Sequence, residues 1–253
     1  MKITKIKSMH PTNEFAPVWN IPMYSSLYDD YEKVEKIKNF LIKKETELVN
    51  GLLPGRGDGR TGLGLNSVTS KYGMYNVFDF IQELPELNDL LNFLRISYID
   101  FVLKNQSRIH DCYIVCWYNI VRAGQDIKKH SHGTGHSSYL SANMHLDNYE
   151  TTTDYHVPFD DEVIHKLPNQ TGGLTIFPSY LPHSVGNYNG ENLRVSIGFD
   201  LHLEKPNDLE SIIFIDQEIL NKVGHLFNSE GIITFMDDEM LNRLTNPSNE
   251  AII

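Results

Sequence analysis

The sequence predicts an α+β domain in which N-terminal helices buttress a β-sandwich or barrel, and three observations carry that expectation. Apolar residues recur at helical spacing through 31–49 and 85–104. From Cys112 onward the texture changes to short runs rich in β-branched and aromatic residues. Turn-forming residues separate those runs.

The elements follow in order. In 31–49, Val34, Ile37, Phe40, Leu41 and Leu48 stand among Lys and Glu, which is a helix with one apolar stripe and a solvated charged face. Residues 50–66 hold six glycines around Arg56 and Arg60, the composition of a mobile loop, to be read as a lid or a plain connector. Gly57-x-Gly59-x-x-Gly62 matches a dinucleotide fingerprint in letters only, because no strand precedes it and no βαβ unit surrounds it. Residues 77–83 and 85–104 return to helical spacing, with Leu87, Leu90, Leu91, Leu94, Tyr98 and Val102 on a broad apolar face. Strands are expected at 113–121, 138–146, 173–177 and 194–203. Beyond Pro206 the pattern turns helical over 209–227, with a weaker element at 232–244. This divides the chain into a domain at 1–203, its β core at 111–203, and an acidic, mainly helical C-terminal extension at 204–253.

Composition bounds the function. The 253 residues, 40% of them hydrophobic, can fill one sizeable core. The formal charge is −11; the last fifty residues hold ten acids against three Lys and Arg, so −7 of it lies there. Such a chain has no overall electrostatic footprint for a phosphate backbone, which argues against a nucleic-acid partner. No apolar run approaches the roughly 18 to 20 residues of a membrane span, and residues 1–7 lack a signal peptide's apolar stretch. No membrane association is expected, and the setting is expected to be cytoplasmic. Cys112 and Cys116, four apart in a β-like run, read as small buried hydrophobes in a reducing compartment.

The most informative motif is His130-Ser131-His132, followed 51 residues later by His183 in Phe-Pro-Ser-Tyr-Leu-Pro-His. Side chains at i and i+2 of a strand share a face, so His130 and His132 converge, and a third imidazole can close one side of an iron(II) ion while leaving the other open for chemistry. A rival lies nearby: His145-Leu146-Asp147 is a His-x-Asp that with His183 would give two His and one carboxylate. Only 36 residues separate Asp147 from His183, a tight fit for three or four strands of about five residues with their turns. Mixed sets drawing on Asp126, or no metal at all, stay open beside these two.

Several motifs together resemble the 2-oxoglutarate/Fe(II)-dependent dioxygenases of the prolyl-hydroxylase type. Gly124-Gln125 running into His130-x-His132 is similar to that superfamily's lead into its first two ligands. Met144-His145-Leu146-Asp147-Asn148 looks like its next strand, and Gly172-Gly173-Leu174-Thr175-Ile176-Phe177-Pro178 resembles its Gly-Gly-x-Thr-x-Phe-Pro. Arg194-Val195-Ser196 resembles the pair that holds the far carboxylate of 2-oxoglutarate. Trp117-Tyr118-Asn119 and the His-x-His bring the likeness nearest to a largely uncharacterised group of 2-oxoglutarate oxygenases of bacteria and phages. The resemblance spans 67–203. It implies a double-stranded β-helix of jelly-roll or cupin type and a dioxygenase that uses Fe(II), 2-oxoglutarate and O2. It further implies that His130, His132 and His183 hold the metal while Arg194, Ser196, His145 and Asn119 bind the cosubstrate. The substrate would be an amino acid, a protein side chain or a small metabolite, hydroxylated at an unactivated C–H bond.

His132 departs from the superfamily's Asp, removing one negative charge from the ligand set. Two other classes therefore stand beside the first: a three-His dioxygenase of the thiol-dioxygenase kind that ignores 2-oxoglutarate, and a non-catalytic cupin-like binding module. Arg194-x-Ser196 speaks against the first of these, since an Arg fork beside a hydroxyl suits a planar carboxylate. His136 is a further candidate for the site, whereas His10, His110, His156, His165, His202 and His225 read as ordinary surface or core residues. Trp117 reads as core.

Overall fold

The structure is a computed structural model that describes residues 1–8, 11, 13–55, 57–133, 139–147, 150–157 and 163–222. Two strands open the chain, β1 (Lys2–Lys7) and β2 (Asn20–Leu27), and two helices follow, α1 (Tyr31–Gly51) and α2 (Glu86–Lys104). Asp30 starts α1 by accepting the Lys33 N–H at 3.1 Å, a cap that contributes about 1 kcal/mol. Between the helices lie two short 3-10 helices, Val68–Lys71 and Val77–Gln82, the second where helical spacing predicted a short helix.

The β core then runs β3 (Cys112–Val121), β4 (Ile127–His130), β5 (Leu140–His145), β6 (Thr152–His156), β7 (Val163–Pro168), β8 (Gly173–Pro178), β9 (His183–Val185) and β10 (Arg194–His202). β3, β10, β5 and β8 are neighbours in one sheet, and β4, β9, β6 and β7 make the other, every pairing antiparallel. Successive strands cross between the two sheets except at the β6–β7 hairpin, which is the winding of a double-stranded β-helix. The β1–β2 hairpin extends the larger sheet beyond β8, and β11 (Ile212–Ile215) extends it beyond β3.

Alternation along β10 explains how the larger sheet is used. Val195, Ile197, Phe199 and Leu201 join Ile114, Cys116, Tyr118 and Ile120 of β3 in one buried cluster with Val34, Ile37 and Leu41 of α1 and Leu90, Leu94 and Tyr98 of α2. Burying each such side chain contributes roughly 1.5–3 kcal/mol before chain entropy is counted. Both cysteines are free and buried here. The opposite face carries Arg194, Ser196, Gly198 and Asp200, and it looks toward the smaller sheet.

Two local expectations change. Helical spacing over 209–227 gives way at 212–215 to an edge strand, because Phe214 and Ile215 bury against β3 while the backbone pairs with Tyr113 and Ile114. The helical turn begins only after Asp216, which caps it by accepting the Ile219 N–H at 2.8 Å. The element read at 232–244, like His10, Arg56, His136 and His225, lies outside the described residues. The glycine-rich segment is also pinned rather than loose. Asp58 accepts the N–H of Arg60 at 3.1 Å and of Gly64 at 2.9 Å, and the Lys128 N–H of β4 donates to the Thr61 carbonyl at 2.8 Å. Positive φ at Gly59, Arg60, Gly62 and Gly64 supplies the turns.

Candidate metal centre and its cavity

Three imidazoles meet at the edge of the smaller sheet. His130 ends β4 and His183 begins β9, and the two are direct partners across that antiparallel pair. His132 lies two residues past His130, where its N–H donates to the Ser179 carbonyl at 3.0 Å. The ligand-capable nitrogens of His130, His132 and His183 lie within 4.8 Å of one another, and this is a cluster no carboxylate joins among the described residues.

Each ring is held by its Nδ1. His130 donates to the Lys128 carbonyl at 2.8 Å, His183 to the Leu181 carbonyl at 3.2 Å, and His132 to the Asp200 carboxylate at 2.6 Å. Because carbonyl and carboxylate oxygens only accept, every Nδ1 must carry a proton, which leaves Nε2 as the nitrogen that can face a metal. Burial and the neighbouring His132 push His130 down to about 4, and burial with the other two imidazoles holds His183 well below the usual histidine range. Neutral nitrogen donors held on one side of a cavity fit iron(II), leaving its other positions open.

The cavity beside the cluster has a volume of about 190 Å³ and is lined by both sheets and by Asp58, Gly59 and Thr61 of the glycine-rich segment. Its floor is the inner face of the larger sheet. Ser196 pairs in register with Asn119 on one side and His145 on the other, so these three form one row, and Arg194 stands one row away. Arg194 is buried, donates from Nη2 to His145 Nδ1 at 3.2 Å, and finds no acceptor for Nε or Nη1 among the described residues. Burial draws its guanidinium down to about 10, still cationic at neutral pH. Two buried donor nitrogens without a partner cost free energy unless an acceptor arrives. That cradle fits a carboxylate.

All seven residues singled out by sequence line the cavity: His130, His132, His183, Arg194, Ser196, His145 and Asn119. Asn119 accepts the Thr69 hydroxyl at 2.8 Å. The rival carboxylates go elsewhere. Asp147 pairs with Lys38 at 3.1 Å and accepts the Val195 N–H at 3.0 Å, and Asp126 pairs with Lys128 at 2.7 Å. Trp117, read as core, is buried in the main hydrophobic cluster and also lines the cavity, with its ring 5.4 Å from that of His132. Gly198 makes the room, because a Cβ there would stand 2.8 Å from the indole. Sequence reading missed Tyr72 and Asp200. Asp200 had a signal, since alternation from Arg194 places it on the inner face of a strand otherwise flanked by apolar residues.

Residues 115–200 match the family model described as "Putative 2OG-Fe(II) oxygenase". Among solved structures, similarity is found to a Pseudomonas putida prolyl-4-hydroxylase, at 16% identity over 72% of this chain and 93% of that one with a TM-score of 0.46. HygX from Streptomyces hygroscopicus, solved with nickel and 2-oxoglutarate bound, is 9% identical over 74% of this chain and 84% of its own, with a TM-score of 0.45. A viral collagen prolyl hydroxylase from Paramecium Bursaria Chlorella virus-1 is 13% identical over 72% and 90%, with a TM-score of 0.42. No curated protein matches. No helix among the described residues is long and apolar enough to cross a membrane. The three-His cluster and the family match together support Fe(II), 2-oxoglutarate and O2 as cofactors. Over 115–200, the stretch that builds the metal cluster and most of its cavity, this chain matches the 2OG-Fe(II) oxygenase family, as its motifs resemble.

Proposed function

We propose that this protein is an Fe(II)- and 2-oxoglutarate-dependent dioxygenase that hydroxylates an unactivated C–H bond of an amino acid, a protein side chain or a small metabolite. One observation carries the reading: three imidazoles turned inward by their Nδ1 hydrogen bonds share a cavity with a buried arginine whose Nε and Nη1 find no acceptor among the described residues.

In this reading His130, His132 and His183 hold the metal. Arg194 and the Ser196 hydroxyl bind the far carboxylate of 2-oxoglutarate, a charge-assisted contact that a planar guanidinium makes with two parallel bonds. Bound iron with 2-oxoglutarate would supply oxygen activation driven by decarboxylation of the cosubstrate to succinate. Asn119 and His145, in the row of Ser196, narrow the cosubstrate channel. Trp117 and Tyr72, in edge-to-face contact at 4.7 Å, wall the cavity on the His132 side and exclude water from it. The division into a catalytic domain at 1–203 and an acidic extension at 204–253 belongs to the same proposal.

Anaerobic reconstitution with iron(II) tests the reading. A visible charge-transfer band should grow when 2-oxoglutarate is added. Stoichiometric iron with no band would instead favour a three-His dioxygenase independent of 2-oxoglutarate, and no bound iron would leave a binding module.

A further inference from the structure

We propose that Asp200 is a positioning residue of the metal centre, placing behind His132 the negative charge that a carboxylate ligand would otherwise bring directly to the metal. The inference rests on reading His130, His132 and His183 as the ligand set.

The three ligands are not equivalent at their far nitrogens. His130 and His183 donate to backbone carbonyls, which carry no net charge, whereas His132 donates at 2.6 Å to a carboxylate. An imidazole donating to an anion becomes a stronger donor at its other nitrogen, and its ring plane is fixed by the same bond. Asp200 is itself held in place from several directions. The Ser141 hydroxyl donates to the same oxygen at 2.6 Å, and the Tyr72 hydroxyl donates to the other at 3.3 Å. Ser141 is its direct register partner on β5, so the contact follows from the sheet itself. Trp117, seated by Gly198, closes over the His132 ring.

The charge balance points the same way. Asp200 is buried, and among the described residues it pairs with His132 rather than with a Lys or Arg. A buried carboxylate is costly unless a cation lies near. A divalent ion on the Nε2 side of His132 is such a cation. With neutral imidazoles as the other two ligands, Asp200 restores the net charge of a centre with two His and one carboxylate, held one residue further out.

Cobalt(II) titration of the metal-free full-length protein reads this without turnover. Asp200→Asn keeps the shape and an acceptor oxygen for His132 but removes the charge. The expected result is a 10- to 100-fold weaker cobalt affinity and altered visible d–d bands, with the melting temperature of the metal-free protein not lowered. An unchanged affinity and spectrum in Asp200→Asn, beside a lost affinity in His130→Ala, would overturn the role of Asp200 and leave the ligand set standing. Full affinity in His130→Ala would overturn the ligand set itself. Should Asp200→Asn fail to fold, the zinc-loaded wild-type protein decides by proton NMR. The His132 Nδ1–H must then lie well downfield of those of His130 and His183, and three indistinguishable resonances would overturn the inference.

Discussion

Arg194 donates from Nη2 to Nδ1 of His145 across 3.2 Å, and both side chains are buried. Since the guanidinium only donates, His145 Nδ1 accepts and the proton sits on Nε2, which faces the Thr153 hydroxyl at 3.4 Å. Thr153 in turn donates to Asn169 at 2.8 Å, completing a relay of one sense from guanidinium to amide. His145 is thus arranged to aim Arg194 at the cavity. His145→Ala should raise the 2-oxoglutarate requirement about tenfold while metal content stays unchanged, and His145→Gln, which retains an acceptor, should recover much of the loss. Equal 2-oxoglutarate titrations for wild type and His145→Ala would refute the arrangement.

The same contact sets a pH dependence. Burial, and then the charge of Arg194, hold His145 well below the usual histidine range in the folded protein. In the unfolded chain it titrates near the ordinary value of about 6.5. Below that pH the unfolded state takes up a proton that the folded state refuses, so stability falls as the pH drops. The melting temperature of wild type should therefore decline more steeply between about pH 6.5 and 5 than that of His145→Gln. Parallel profiles would show that His145 is not the group responsible.

Arg194→Ala should raise the 2-oxoglutarate requirement by 10- to 100-fold, the worth of a lost charge-assisted contact of about 1.5–3 kcal/mol. Metal affinity should stay within a fewfold of wild type, because among the described residues Arg194 hydrogen-bonds to His145 and to none of the three imidazoles. Equal loss of metal and cosubstrate would assign Arg194 a structural role instead.

Asp147→Asn separates the two ligand sets that the sequence left open. Here the carboxylate links Lys38 of α1 to the Val195 N–H of β10, both largely buried. Neutralising it should cost about 1–3 kcal/mol of stability, or some 2–4 °C of melting temperature for each of those kcal/mol in a chain of this size. Metal stoichiometry should be retained. His183→Ala should behave in the opposite way, losing metal with little change in the melting temperature of the metal-free protein. A metal-deficient Asp147→Asn would return the choice to the rival set.

Legibility in the sequence followed burial. β3, β5, β8 and β10 bury one face under the helices, so their apolar runs announce them. β4, β6, β7 and β9 do not: Lys128 and Lys129, Thr152 to Asp154, and His165 and Lys166 leave no apolar run, because this sheet lies between solvent and a polar cavity. β2 was masked by Pro22, which sits opposite Lys5 in the hairpin with β1. In the site, the x spacing of His130 and His132 was visible, yet their meeting with His183 depends on a pairing between segments about fifty residues apart. Tyr72 reaches Asp200 from 128 residues away, a relationship that no local pattern encodes.

The glycine-rich segment gives the last prediction. Asp58, Gly59 and Thr61 line the cavity, and Asp58 also borders a second hollow with Arg60, Tyr72 and Asp208. The turn is tied to β4 through the Lys128 N–H and to itself through the Asp58 carboxylate, two anchors within a stretch whose glycines are costly to order. A ligand filling the cavity would add contacts to that edge and is expected to hold the segment more tightly, in the manner of loops that shut water out of oxidising sites. Arg60 is exposed and supplies a tryptic site for following it. Cleavage there should slow when metal, 2-oxoglutarate and substrate are present together. Asp58→Ala should speed cleavage severalfold in the metal-free protein by releasing the Arg60 and Gly64 amides. A rate indifferent to the ligands and to Asp58→Ala alike would make the segment a rigid connector that takes no part in closing the site.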